Sequence, residues 1–198
     1  TGENVAEDFQ IGREDQDAFA LRSQQKAVAA QASGRLAQEI VPVTIPQRKG
    51  DAKMVDRDEH PRADTTLAGL AALKAPFRKG GTVTAGNASG INDGAAALSV
   101  ASEAAAKRHG LTPIARIVDM VVTAGDPVIM LEEPIPATQK ALKRAGMWIE
   151  DIDLYEVNEA FAPVPLAWLQ ALGADPARLN VNGGAIALGH PLGASGTN

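Results

Sequence analysis

The sequence contains no cysteine, which excludes disulfides, thiolate metal sites and a cysteine nucleophile within its 198 residues. No stretch approaches the roughly 18 consecutive apolar residues that a membrane-spanning helix needs, and the N-terminus lacks the basic region and apolar run of a secretory signal. No membrane partner is expected, and the cytoplasm is the expected compartment; an organellar one stays open, because a targeting peptide can be removed. Lysine and arginine form no cluster longer than Arg48-Lys49 or Arg78-Lys79, and with a formal charge of −5 there is no electrostatic footprint for nucleic acid. The three histidines, His60, His109 and His190, are far apart and show no HxxxH or HExxH spacing, so neither a metal nor a cofactor is expected.

A composition of 45% hydrophobic and 22% charged residues is that of a globular protein, and it excludes a collagen, a coiled coil and a disordered tail. The length allows one large domain or two small ones. From Arg13 the run REDQDAFALRSQQKAVAAQASG predicts an amphipathic helix with Ala18, Leu21, Val28, Ala29 and Ala32 on its apolar stripe, ending at Gly34. Ile40 to Ile45 alternates as a strand does, but Pro42 and Pro46 confine it to an edge or an extended arm. Residues 46–66 are charged and proline-bearing, an exposed excursion.

Further on, Thr82 to Thr84 is a short strand candidate and 86–90 a tight turn. Asn92 or Asp93 is placed to cap an alanine-rich helix reaching His109-Gly110. A β run over Ala115 to Val122, a helix over Pro136 to Ala145, a strand over Leu154 to Val157 and a helix over Ala162 to Leu172 follow. The alternation predicts an α/β fold with crossover connections. Alanine dominates the helices; small side chains let helices pack closely in a layered protein, although plain helix propensity explains the alanines equally well.

Three segments could carry chemistry. The run from Asn180 to Gly196 surrounds His190 with glycines at 183, 184, 189, 193 and 196, which suits a backbone that turns sharply and lets a ligand come close better than it suits a packed helix or strand. Gly189 and Pro191 flank His190, so the imidazole can be fixed at the lip of a turn, where it can lower a thiol's pKa or donate to an oxygen that becomes negative. A turn with a structural histidine is the plainer alternative. Asn158, directly after an apolar strand candidate, can offer an amide donor or hold a water at an oxyanion site, or simply cap a helix. The third segment, 86–94, offers free backbone N–H groups ahead of a helix, or is a turn with no ligand.

Together NEAFA at 158–162, NVNGGAIALGHPLGASG at 180–196 and GTVTAGNASGINDGAA at 81–96 resemble the thiolases, the family of acetyl-CoA acetyltransferase and 3-ketoacyl-CoA thiolase. Glu3-Asn4-Val5, Glu14 to Ala20 and Pro134 to Ala137 extend the similarity through the chain. The resemblance implies a layered αβαβα fold, here incomplete: a loop domain covering coenzyme A at 1–91, the remainder of the N-terminal half at 92–111 and part of the C-terminal half at 112–198. It implies an acyl-CoA acyltransferase that performs Claisen condensation or thiolysis through an acyl-cysteine, with coenzyme A thioesters as substrate and assembly as a homodimer or homotetramer.

By the same resemblance His190 activates the nucleophilic thiol and donates to the thioester oxygen, while Asn158 positions a water there. Ser89, with Ala85 and Ala88, falls where the family contacts the pantetheine arm. Ala160 and Gly189 lie within the binding motifs. Phe77, Met130 and Phe161 match the apolar tunnel, and Arg62 the nucleotide end of coenzyme A; core packing for Phe77 and Met130 and a solvated charge for Arg62 are the alternatives. Both cysteines of the family fall outside the sequence, so these residues alone are expected to be inert. Two rivals are a non-catalytic coenzyme A-binding or assembly module and a glycine-loop nucleotide binder, the latter disfavoured by the lack of a P-loop or of GxGxxG after a strand.

Overall fold

A computed structural model describes residues 1–197. Helix α1 (Gly2–Asp8) leads through a short loop into the long α2 (Arg13–Ala32). Strands β1 (Val43–Ile45) and β2 (Lys53–Val55) pair antiparallel with Thr44 opposite Met54, an exposed hairpin that leads into the charged excursion. Then come α3 (Leu67–Ala71), α4 (Glu103–Arg108), α5 (Pro134–Ala145), α6 (Pro163–Leu172) and the single turn α7 (Ala185–Leu188). Helices α5 and α6 each begin on a proline, which has no N–H to waste in the first turn, and each ends at a left-handed glycine, Gly146 and Gly173.

The main core joins Phe19 and Ala20 of α2, Leu70 of α3, Trp168 of α6 and Ile186 of α7 around Tyr155, Val157 and Leu179. Tyr155 and Trp168 pack at a tilt of 59° with ring centroids 5.2 Å apart, and their polar tips are satisfied: the Tyr155 hydroxyl donates to the Ile149 carbonyl and Trp168 Nε1 donates to Thr138 Oγ1. A smaller cluster of Val5, Ile11 and Ala167 seats α1 on α6. No described helix is long and apolar enough to cross a membrane.

Several expectations from the sequence are corrected. The buried face of α2 is not the alanine and leucine stripe; it contains Gln16, Asp17, Ser23 and Gln24 beside Phe19, Ala20, Ala27 and Ala30, while Ala29 and Ala32 are exposed. Polar groups win the inner face because each has a buried partner, as shown below. The alanine-rich helix after Asn92 shrinks to α4, capped by Ser102, whose Oγ accepts the Ala105 N–H. Residues 93–104 are exposed, and an alanine face that buries nothing does not offset the entropy of a longer helix.

The strand candidates 82–84, 115–122 and 154–157 form no ladder. Val118 and Val122 lie 77% and 84% exposed, and among the described residues no strand neighbours them. Val83 and Thr84 are buried, but side chains satisfy their N–H groups: the Glu3 carboxylate accepts from Thr82 and Val83 (2.9–3.0 Å), and Asn87 Oδ1 accepts from Thr84 (2.7 Å). Tyr155 makes one parallel bridge with Leu179, and beyond it Asn180 continues the pairing with its side chain, Oδ1 accepting from Val157 N–H and Nδ2 donating to Val157 O. The glycine run, expected to avoid helix, contains α7.

Leu179 is 1% exposed at the centre of the main cluster. Replacing it with alanine is expected to cost about 2–5 kcal/mol of stability, measured as a lower midpoint in urea unfolding at unchanged slope.

Candidate active site

The three segments singled out in the sequence meet. The Ser89 N–H and Oγ both donate to the Ala160 carbonyl (3.1 and 3.2 Å), Ala162 N–H donates to Asn87 O (2.8 Å), and Ala88 bridges Phe161. On the other side the His190 N–H is shared between Gly90 O (3.1 Å) and Asn92 Oδ1 (3.3 Å). The turn at 86–92 is therefore held between the NEAFA segment and the glycine–histidine run, and Asn92, expected to cap a helix, instead holds the backbone of His190. Gly189 has φ +90°, and a side chain there would strike Asn92.

His190 and Asn158 converge, with Asn158 Nδ2 lying 3.3 Å from His190 Nε2. The other ring nitrogen, Nδ1, is 2.7 Å from Ser195 Oγ, and Ser195 Oγ donates to Pro191 O (3.1 Å). These contacts fix the ring chemically. An amide nitrogen can only donate, so Nε2 is the acceptor; the serine proton is spent on a carbonyl, so Nδ1 carries the hydrogen and donates to Ser195. In the neutral form of the ring, the contacts leave Nε2 as the acceptor beside a carboxamide. Asn158 is exposed and His190 half-buried, so the pair is reachable from solvent.

The other proposed contacts divide. Phe161 packs edge-on to Phe77 with centroids 6.2 Å apart, and its ring covers Gly2. Phe77 is 66% exposed, which removes core packing as its role. Ala85 is exposed beside Ser89 and Ala88. Met130, half-exposed on a 3-10 turn packed against α1, α5 and α6, sits outside the group. The Arg62 side chain is exposed, while its backbone N–H donates to Gln24 Oε1 (2.8 Å). Among the described residues no cluster of three or more histidines, aspartates and glutamates could hold a metal.

Sequence reasoning missed the residues beneath the pair. Glu159 is 1% exposed and accepts from Ser23 Oγ (2.7 Å), Asn180 Nδ2 (2.9 Å) and Ile186 N–H (3.1 Å). Burial pushes its carboxyl above the usual glutamate range, against the pull of those donors and of the Lys26 ammonium. Lys26 is itself lowered by burial, and its Nζ donates to Leu179 O. The available signal was an acid directly before the apolar Ala160-Phe161-Ala162. His60 was also missed: its Nδ1 donates to Ala187 O (2.8 Å), fastening the charged excursion to α7.

Comparison with known proteins places this geometry. The family model described as thiolase, N-terminal domain, matches residues 1–104, and that described as thiolase, C-terminal domain, matches 111–198. The chain is 57% identical over 198 residues to the 3-oxoadipyl-CoA/3-oxo-5,6-dehydrosuberyl-CoA thiolase of Escherichia coli, covering 99% of this chain and 49% of that one. It superposes on a crystal structure of Bacillus anthracis acetyl-CoA acetyltransferase with a TM-score of 0.95 at 49% identity, covering 99% of this chain and 50% of the other. For human mitochondrial 3-ketoacyl-CoA thiolase in complex with CoA the TM-score is 0.88 at 46% identity, covering 99% and 48%. The chain spans about half the length of these relatives.

The Ser195 contact makes a measurable statement about the ring. Nitrogen-15 spectra at a pH where His190 is neutral should show the Nδ1–H tautomer predominating, and Ser195→Ala should shift the population toward Nε2–H. An unchanged tautomer ratio in the variant would refute the assignment of Ser195 as the Nδ1 acceptor.

Proposed function

The chain belongs to the thiolase family, and from that premise we propose that it carries the histidine and asparagine of an acyl-CoA acyltransferase acting by Claisen condensation or by thiolysis of a 3-ketoacyl-CoA. The observation that supports this most directly is the convergence of Asn158 and His190 at 3.3 Å, with Nδ1–H of the ring tied to Ser195. A basic Nε2 can take the proton of an incoming thiol. The imidazolium so formed carries an Nε2–H, and beside it the Asn158 amide is a second donor, so the two can stabilise a thioester oxygen as charge develops there. The thiol itself comes from outside these residues, since they contain no cysteine.

The substrate assignment rests on the coenzyme A complex of the human relative, whose fold this chain shares over half that protein's length. Ser89, Ala85, Ala88, Ala160 and Gly189 would border the pantetheine arm, Phe77, Met130 and Phe161 the apolar acyl and pantetheine tunnel, and Arg62 the nucleotide end of coenzyme A. Residues 1–91 would form the coenzyme A-covering loop domain, 92–111 the remainder of the N-terminal half and 112–198 part of the C-terminal half. Assembly as a homodimer or homotetramer, action in fatty acid metabolism and a cytoplasmic site belong to the same reading. The relatives are named as thiolases and acetyltransferases, so a non-catalytic coenzyme A module is not favoured.

Mutation in the complete protein that carries this chain tests the reading. His190→Ala should lower the rate of acetoacetyl-CoA thiolysis by about 100-fold or more, as loss of a preorganised donor and base does, and Asn158→Ala by less, since water can replace an amide. Turnover of His190→Ala within a few-fold of wild type would end the proposal.

A further inference from the structure

Glu159 is sealed from solvent although Asn158 beside it is exposed, yet its carboxyl joins the segments that carry Asn158 and His190 to helix α2. Its own backbone continues directly from Asn158. Asn180 donates one amide hydrogen to Glu159 Oε1 and the other to Val157 O, so the residue before Asn158 and the residue after it are gripped by one side chain. Glu159 Oε2 accepts the N–H of Ile186 inside α7, the turn whose next residues are Gly189 and His190. It also accepts the hydroxyl of Ser23 on α2, and that hydroxyl in turn accepts the Gly184 N–H at 3.1 Å. Gly184 lies so close that any side chain there would meet the Glu159 carboxyl.

We propose that Glu159 is a positioning residue: its buried carboxyl, joined to Ser23, Asn180 and Ile186, sets the spacing between Asn158 and His190. All three partners are donors, and only a carboxylate accepts from all three. A glutamine would turn its NH2 toward Asn180 Nδ2 or toward Ser23 and the Ile186 N–H, forcing a donor against a donor and pushing the two turns apart. Small misplacements of reacting groups are costly, up to about 100-fold for 1 Å, so a brace of this kind is read out in turnover. The proposal rests on the assignment of Asn158 and His190 above.

In the complete protein, Glu159→Gln is expected to lower kcat about tenfold or more while leaving KM for acetoacetyl-CoA within about twofold, and to blur the single His190 tautomer in nitrogen-15 spectra. Ser23→Ala, which removes one leg of the brace and leaves the charge, should lower kcat by a few-fold with KM again unchanged; it decides the matter if Glu159→Gln does not fold. A folded Glu159→Gln with wild-type kcat and tautomer overturns the proposal, as does a loss that disappears when rates are scaled to the folded fraction. His190→Ala, run in parallel, separates the two levels. Activity retained there removes the site assignment itself, whereas activity lost there with wild-type behaviour in both other variants overturns the brace alone.

Discussion

Backbone N–H groups that are buried without a neighbouring strand have to be met by something, and in this chain side chains meet them. Leaving one unpaired costs about 1–3 kcal/mol, comparable with a substantial share of a domain's stability. Glu3 takes the N–H groups of Thr82 and Val83, Asn87 that of Thr84, Asn180 that of Val157, and Glu159 that of Ile186. This is why α2 turns polar residues inward. Gln16 reaches Thr82, Asp17 accepts from Asn87 Nδ2, Ser23 meets Glu159 and Gln24 meets both Ile186 O and the Arg62 N–H. Helix α2 works as a row of hydrogen-bonding posts for the loops that hold Asn158 and His190.

That arrangement separates buried from exposed groups within single dipeptides. Asn158 is exposed and Glu159 is sealed, although they are neighbours, because extended backbone points alternate residues to opposite sides. The same division runs through the histidine segment, where Ile186 and Ala187 are buried and His190 reaches outward. Each outward group is anchored by the buried groups beside it. Directionality does the rest: a donor-only amide on one ring nitrogen and a serine that has already donated its proton on the other leave the imidazole one neutral form.

Much of the site was legible in the sequence because its members lie in dense local motifs. His190 between Gly189 and Pro191, and Asn158 at the end of an apolar run, advertise themselves by composition. Helices α5 and α6 were legible for a similar reason, with a proline near the start and a glycine at the end. What escaped was whatever depends on partners far along the chain. The inner face of α2 cannot be read from hydrophobicity when its buried groups are Gln16 and Ser23, whose partners lie 66 and 136 residues away. The strand candidates at 82–84 and 154–157 form no ladder, because their hydrogen bonds go to Glu3, Asn87 and Asn180 side chains, which no period-2 pattern reveals. Glu159 stood in full view inside NEAFA, and only its burial distinguishes it from a solvated acid.

The glycine run shows where the argument from composition needs dividing. Five glycines around one histidine suggested a backbone cleared for a ligand, yet the first three are cleared for the protein itself. Gly183 fits against Ala27 and Ser23, Gly184 against the Glu159 carboxyl and Gly189 against Asn92. Gly193 and Gly196 differ, with nothing within 4 Å of where a side chain would begin. They flank Ser195, the residue that holds the far side of the imidazole. Gly183 and Gly184 are therefore small so that helix α2 and Glu159 can hold them tightly, and Gly189 so that Asn92 can lie against it and hold the His190 backbone.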